Sequence, residues 1–151
     1  MRDLADRILS RTRKGWLRSK PLFEFHSAAS ESDLAQIEEK VKARLPADLK
    51  AWLLAIGYGD IDEDLSFRSV WFAEVDRGEA PGAVIFAQDI LGNFYAYTPE
   101  DERIIFFSRS SPEYAILAPS FRAFMEELER RDFKVMDWVD SVALLPYRWG
   151  A

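Results

Sequence analysis

The sequence contains no cysteine and only one histidine, His26. Without cysteine there is no disulfide, no thiolate nucleophile and no Cys-ligated zinc or iron–sulfur centre. The absence also fits a reducing compartment. One histidine closes every mechanism that needs two imidazoles from a single chain, and a Ser–His–Asp triad would have to use His26. That residue follows Phe23 and Phe25, where a lone imidazole reads as a surface or packing residue rather than a base. Glycines are few, and Gly57, Gly59, Gly78, Gly82 and Gly92 are scattered as turn residues, so no glycine-rich phosphate loop is present. Long apolar runs are missing as well. Residues 51–56 are the longest, far short of a bilayer span, and residues 1–20 hold no apolar core of a signal peptide. These gaps predict a soluble, cytoplasmic protein without a membrane or a cofactor as partner.

What remains is ordinary in amount and unusual in placement. The 151 residues are 48% apolar and 30% charged, which predicts one folded domain over residues 1–151 with a real core. The net charge of −6 is unevenly spread. Residues 1–20 carry seven Lys/Arg against two Asp, a basic head. Residues 60–102 carry Arg68 and Arg77 against eleven acids. A field of that sign repels nucleic acid and attracts basic partners.

Periodicity supplies the elements. Leu4, Ala5 and Ile8 fall on one side of an N-terminal helix, with Arg7, Arg11 and Lys14 on another, and Pro21 forbids its continuation. Ser30 with Asp33 is a helix start, followed by Leu34, Ile37 and Val41. Pro46 breaks that helix, and Leu49, Trp52, Leu53 and Ile56 mark the next, closed by Gly57. Residues 70–73, 83–87, 94–97 and 103–107 are short, aromatic and β-branched, separated by turn residues. Their connections are too short for crossover helices, so the strands should be mainly antiparallel. The last is apolar on both faces and reads as a central strand covered by helices. Pro119 and Ser120 open a helix with Phe121, Phe124, Met125 and Leu128 inward, and Asp137 begins a short final helix over residues 137–145. The expected class is α+β: N-terminal helices, a central, mainly antiparallel sheet of four to six strands, and C-terminal helices packed on the sheet.

No motif assembles catalytic or metal chemistry. Asp60, Asp62 and Asp64 alternate like a calcium loop, but the positions that need glycine and glutamate hold Leu65 and Trp71. The aromatic run at residues 94–97 lacks the positive surround of a base-stacking platform, so it reads as core.

The order of these motifs resembles the SUKH superfamily, which includes Smi/Knr-type cell-wall regulators, Syd-like proteins and bacterial toxin-immunity proteins. The matching residues are Ile37 and Glu38, residues 45–49, Trp52 and Leu53, residues 57–59, residues 84–89 with Gly92, residues 94–97, and residues 118–121 with Phe124, Met125 and Leu128. The match covers about residues 28–128. The basic helix within residues 1–20 and the helix at residues 137–145 lie outside it. Residues 57–59 and 89–92 depart from the family's Asn-Gly-Gly and Asp-Gly turns. The resemblance implies an α+β fold, no catalytic residues and function through protein binding.

The resulting expectation is an intracellular immunity protein that binds and neutralises a cognate toxin, with a basic nuclease domain as the fitting target of an acidic surface. The expected steering rim is Asp60, Asp62, Glu63, Asp64, Glu74, Asp76, Glu100, Asp101 and Glu102, with Tyr58, Trp71 and Tyr97 as exposed aromatic anchors. Two other readings stand beside it. One is a regulatory or scaffold module of Smi/Knr or Syd type. The other is a hydrolase using paired carboxylates, which requires a cleft lined by perturbed acids.

Overall fold

Local sequence chemistry sets the helix boundaries. Ser30 Oγ accepts from the Asp33 N–H and the Asp33 carboxylate accepts from the Ser30 N–H, both at 3.1 Å. This capping box satisfies two free N–H groups at once and starts a helix that ends at a left-handed Lys42. Pro46 opens the next helix, and Ser120 caps a later one by accepting from the Ala123 N–H at 3.1 Å.

The computed structural model describes residues 1–150. In chain order the elements are α1 (Arg2–Leu9), β1 (Thr12–Lys14), β2 (Ser19–Pro21), β3 (Phe23–Ser27), α2 (Glu31–Val41), α3 (Ala47–Ile56), β4 (Tyr58–Ile61) and β5 (Leu65–Phe67). A 3-10 turn at Ser69–Trp71 follows. Then come β6 (Ala73–Glu74), β7 (Val84–Asp89), β8 (Phe94–Tyr97), β9 (Ile104–Phe107), β10 (Glu113–Ala118), α4 (Phe121–Arg130), α5 (Val135–Ser141) and β11 (Leu145–Pro146). Strands β1 and β2 form a separate hairpin. The remaining strands form one antiparallel sheet in the order β11-β10-β9-β8-β7-β5-β4-β3, with β6 beside β7.

The class is α+β, as expected, but the sheet has nine strands rather than four to six. The extra ones are short, and several find partners far away in sequence. The head is not one helix: α1 stops at Leu9, and Gly15 sits in the turn of a hairpin that Pro21 closes. Of residues 70–73 only Ala73 is strand, as the start of β6, because the 3-10 turn takes up Val70 and Trp71. The last helix starts at Val135 rather than Asp137 and ends before Leu145, which pairs with Tyr114 in the sheet.

The main core lies between the sheet and the helices. It joins Leu4 and Ile8 of α1, Leu49, Trp52 and Leu53 of α3, Phe86 and Tyr95 of the sheet, and Phe121 and Phe124 of α4. Each large apolar side chain so buried contributes roughly 1.5–3 kcal/mol. Strand β9 is buried on both faces. Its second face is covered by Val75, Ala80, Ala83 and Tyr147 rather than by helices. Tyr147 Oη donates to the Arg77 carbonyl at 2.5 Å and accepts from the Ala80 N–H at 3.2 Å. Gly78, at φ +89°, lies against the Tyr147 ring where a side chain would overlap it.

Candidate functional site

The strand register decides where the acids go. The β4–β5 turn lies at one end of the sheet, beside Asp89 of β7, since Leu65 faces Asp89. The opposite end holds Glu74, which faces Val84, which in turn faces Tyr97 at the start of the β8–β9 turn. The acids between residues 60 and 102 therefore do not form one rim. Asp62, Glu63 and Asp64 lie at the first end; Glu74, Asp76, Glu100, Asp101 and Glu102 lie at the second.

At the first end the basic head neutralises the acids. Arg13 Nε donates to Asp62 Oδ1 at 3.0 Å, and Arg13 Nη1 donates to both Asp132 carboxylate oxygens at 3.0 Å. Arg13 also donates to the Asp132 carbonyl. Arg11 Nη2 reaches Asp132 at 2.9 Å, Lys20 Nζ reaches Glu63 at 3.2 Å, and Arg7 Nε reaches Glu129 at 2.9 Å. The Arg13 hydrogen bond holds the Asp132 carboxyl below the usual carboxylate range, and Arg7 does the same for Glu129. Asp64 is the exception. Burial raises its pKa, Asp62 adds to that, and Lys134 offsets part of it.

Asp60 is half-buried in β4, with Arg68 Nη2 2.8 Å from its Oδ1. The approach is an ion pair without hydrogen-bond alignment, so this oxygen is charge-compensated but lacks a directed donor. Asp60 is therefore no part of an exposed rim.

The second end keeps its charge. Glu74, Asp76, Glu100, Asp101 and Glu102 are all exposed. Thr98 and Asp101 bond through their side chains, Arg103 Nε lies 2.7 Å from Asp101, and these contacts hold the Asp101 carboxyl low. Arg148 pairs with the neighbouring Glu79 at 2.7 Å, and Arg77 stands a loose 3.9 Å from Asp76. Among the described residues, Glu74, Glu100 and Glu102 have no cation within salt-bridge distance. A cavity of about 260 Å³, lined by Glu79, Gly82, Thr98, Glu100, Asp101 and Arg103, joins the two acidic loops.

Two of the three expected aromatic anchors are inside the protein. Tyr58 is 2% exposed because Gly57 turns the chain directly from α3 into β4, making Tyr58 a strand residue rather than a loop tip. Burial and the Asp33 charge push its pKa up to about 12. Tyr97 is fully buried on β8, and its hydroxyl donates to the Arg44 carbonyl at 3.1 Å. Burial, then the charges of Glu38 and Glu102, raise its pKa. Trp71 is half-buried with the Arg68 guanidinium 5.6 Å from its ring centre. Its neighbour Val70 is 76% exposed, and both lie just before Glu74 in the chain.

Several exposed apolar side chains escape a reading by periodicity. Trp16 (95% exposed) and Leu17 stand at the tip of the β1–β2 hairpin, and Ile90 and Leu91 at the β7–β8 turn. Gly15 before Trp16 and Gly92 after Leu91 are the turn signals that point to them. A groove of about 600 Å³ runs between the β9–β10 loop and α5 and includes Phe106, Arg109, Glu113 and Asp140. Among the described residues no three Asp, Glu or His side chains converge as metal ligands.

A family model described as SMI1 / KNR4 family (SUKH-1) matches residues 28–127. No curated protein and no solved structure matches the chain.

Proposed function

Because the chain belongs to the SMI1 / KNR4 family (SUKH-1), we propose that it is a non-catalytic protein-binding domain, a cytoplasmic immunity protein that neutralises a basic toxin domain by covering it. The observation that carries this reading is the split of the acids. One group is matched by the basic head, while Glu74, Glu100 and Glu102 stand exposed without counter-ions at the other end of the sheet. Val70 and Trp71 border that end and supply apolar contact area. An exposed negative end speeds encounter with a basic groove, and the apolar side chains beside it add contact area that excludes water.

The test begins with the partner retained by the full chain from its native host. The quadruple variant Glu74→Lys, Asp76→Lys, Glu100→Lys, Glu102→Lys is expected to slow its association more than about tenfold at low salt and to flatten the salt dependence. Val70→Ala and Trp71→Ala act mainly on dissociation. Unchanged association in the quadruple variant removes the acidic end as the binding surface. Retention of a housekeeping protein with no toxic activity replaces immunity with the regulatory or scaffold role.

A further inference from the structure

Strand β3 is the last strand of the sheet and carries no neighbour on its outer side. Its residues 24–27 are exposed, and Phe25 is 63% exposed. The edge is guarded only by Glu24 and a bulge: residues 23–27 read Phe-Glu-Phe-His-Ser, with neither lysine nor proline among them. The ladder fixes which backbone groups point outward. Asp62 N–H donates to the Leu22 carbonyl at 2.8 Å, and Glu24 faces Asp60. Alternation then turns the N–H and C=O of Phe25 away from β4, toward open solvent; those of Phe23 point to the same side, but Phe23 is only 5% exposed.

We propose that β3 pairs with β3 of a second copy of this chain, antiparallel about a two-fold axis through Phe25. The sequence is self-complementary in that register. Phe25 meets Phe25 of the other copy, and their outward backbone groups exchange hydrogen bonds. Glu24 of each copy comes opposite His26 of the other, the residue that the bulge leaves without a partner in β4. Phe23 cannot contribute its ring, which is buried against Trp52 at 6.5 Å. The bulge between Phe25 and Ser27 bends the strand and keeps the seam short. A seam of this length is smaller than a standard stable interface, so the dimer exchanges quickly and fills only at high concentration.

The test is sedimentation equilibrium of the full chain at neutral pH, from about 5 μM to about 1 mM, the range for a weak interface. The average mass is expected to rise from 17.4 kDa toward twice that value. Glu24→Lys and His26→Glu each remove both cross-strand pairs, and each is expected to weaken self-association about fivefold or more. An equimolar mixture of the two variants restores pairing. The lysine introduced in one copy then faces the glutamate introduced in the other, while the unaltered Glu24 and His26 face each other. That rescue is peculiar to this register. A mass that stays at 17.4 kDa throughout overturns the proposal. So does a dimer that neither variant weakens, or one that the mixture fails to restore when both variants melt like the parent chain.

Discussion

The buried acid Asp89 shows what single residues do here. Its carboxylate accepts from Asn93 N–H at 3.1 Å, from Asn93 Nδ2 at 2.9 Å, from Leu91 N–H at 3.0 Å and from Tyr95 Oη at 2.9 Å. Asn93 Oδ1 in turn accepts from Arg109 N–H at 2.9 Å, so one buried side chain links two adjacent turns. Asn93→Ala strips donors from a buried carboxylate and should cost about 2–3 kcal/mol, whereas Tyr95→Phe removes one and should cost about 1 kcal/mol. Denaturant melts at neutral pH check the order; a smaller loss for Asn93→Ala than for Tyr95→Phe contradicts the account. Asp64 makes a pH prediction. Burial and Asp62, with Asp89 and Glu63 as further acids and Lys134 as the opposing cation, raise its folded pKa. The folded state then binds a proton more readily than the unfolded chain, so stability falls as pH rises from the ordinary carboxylate range through that raised value. Asp64→Asn is therefore expected to raise the melting temperature at pH ~7 and to give no gain below pH ~3, where both states are protonated. An equal gain at both pH values sinks the electrostatic explanation. Asp132 and Glu129 behave oppositely, since their lowered pKa values give stability that is lost as pH falls through the folded values.

At the scale of elements, legibility follows sequence distance. The α2 capping box, the Pro46 break and the Ser120 cap act within a few residues, and all are readable. Strands β7, β8 and β9 are readable because their turns are short. Strands β4, β5 and β10 are not, because β4 follows Gly57 where only a helix stop is visible and its partner β3 lies far back in the chain. The same gap misplaces Tyr58, an expected surface anchor that the strand buries. The β1–β2 hairpin is hidden by a basic pattern that also suits a helix. What holds it is not local: Arg13 bridges Asp62 and Asp132, and neither carboxylate is near it in sequence. Arg13→Ala is expected to lower stability by about 1 kcal/mol and to speed amide exchange across residues 12–21 while leaving α2 and α3 protected. Exchange that rises uniformly over the chain would mean that Arg13 supports the whole core rather than the hairpin.

At the scale of the whole molecule, the family match and the folding unit are different objects. The match covers residues 28–127, yet the main core includes Leu4, Ile8, Leu22 and Phe23 before it and Phe133, Val135, Trp138 and Val139 after it. Helix α1 packs on α3, and Arg7 ties it to Glu129 beyond the matched segment, so head and tail support each other as well as the sheet. Removing Leu4 and Ile8 alone forfeits roughly 3–6 kcal/mol of burial, comparable to the whole stability of a domain this size, about 5–15 kcal/mol. Residues 28–127 produced by themselves are therefore expected to show helix and strand signals in far-ultraviolet circular dichroism without a cooperative melt. Deleting residues 1–10 from the full chain should lower the melting temperature by more than about 10 °C, since each kcal/mol moves it by several degrees at this size. A cooperative transition in the 28–127 fragment at the temperature of the full chain would show that the head and tail merely decorate a core complete without them.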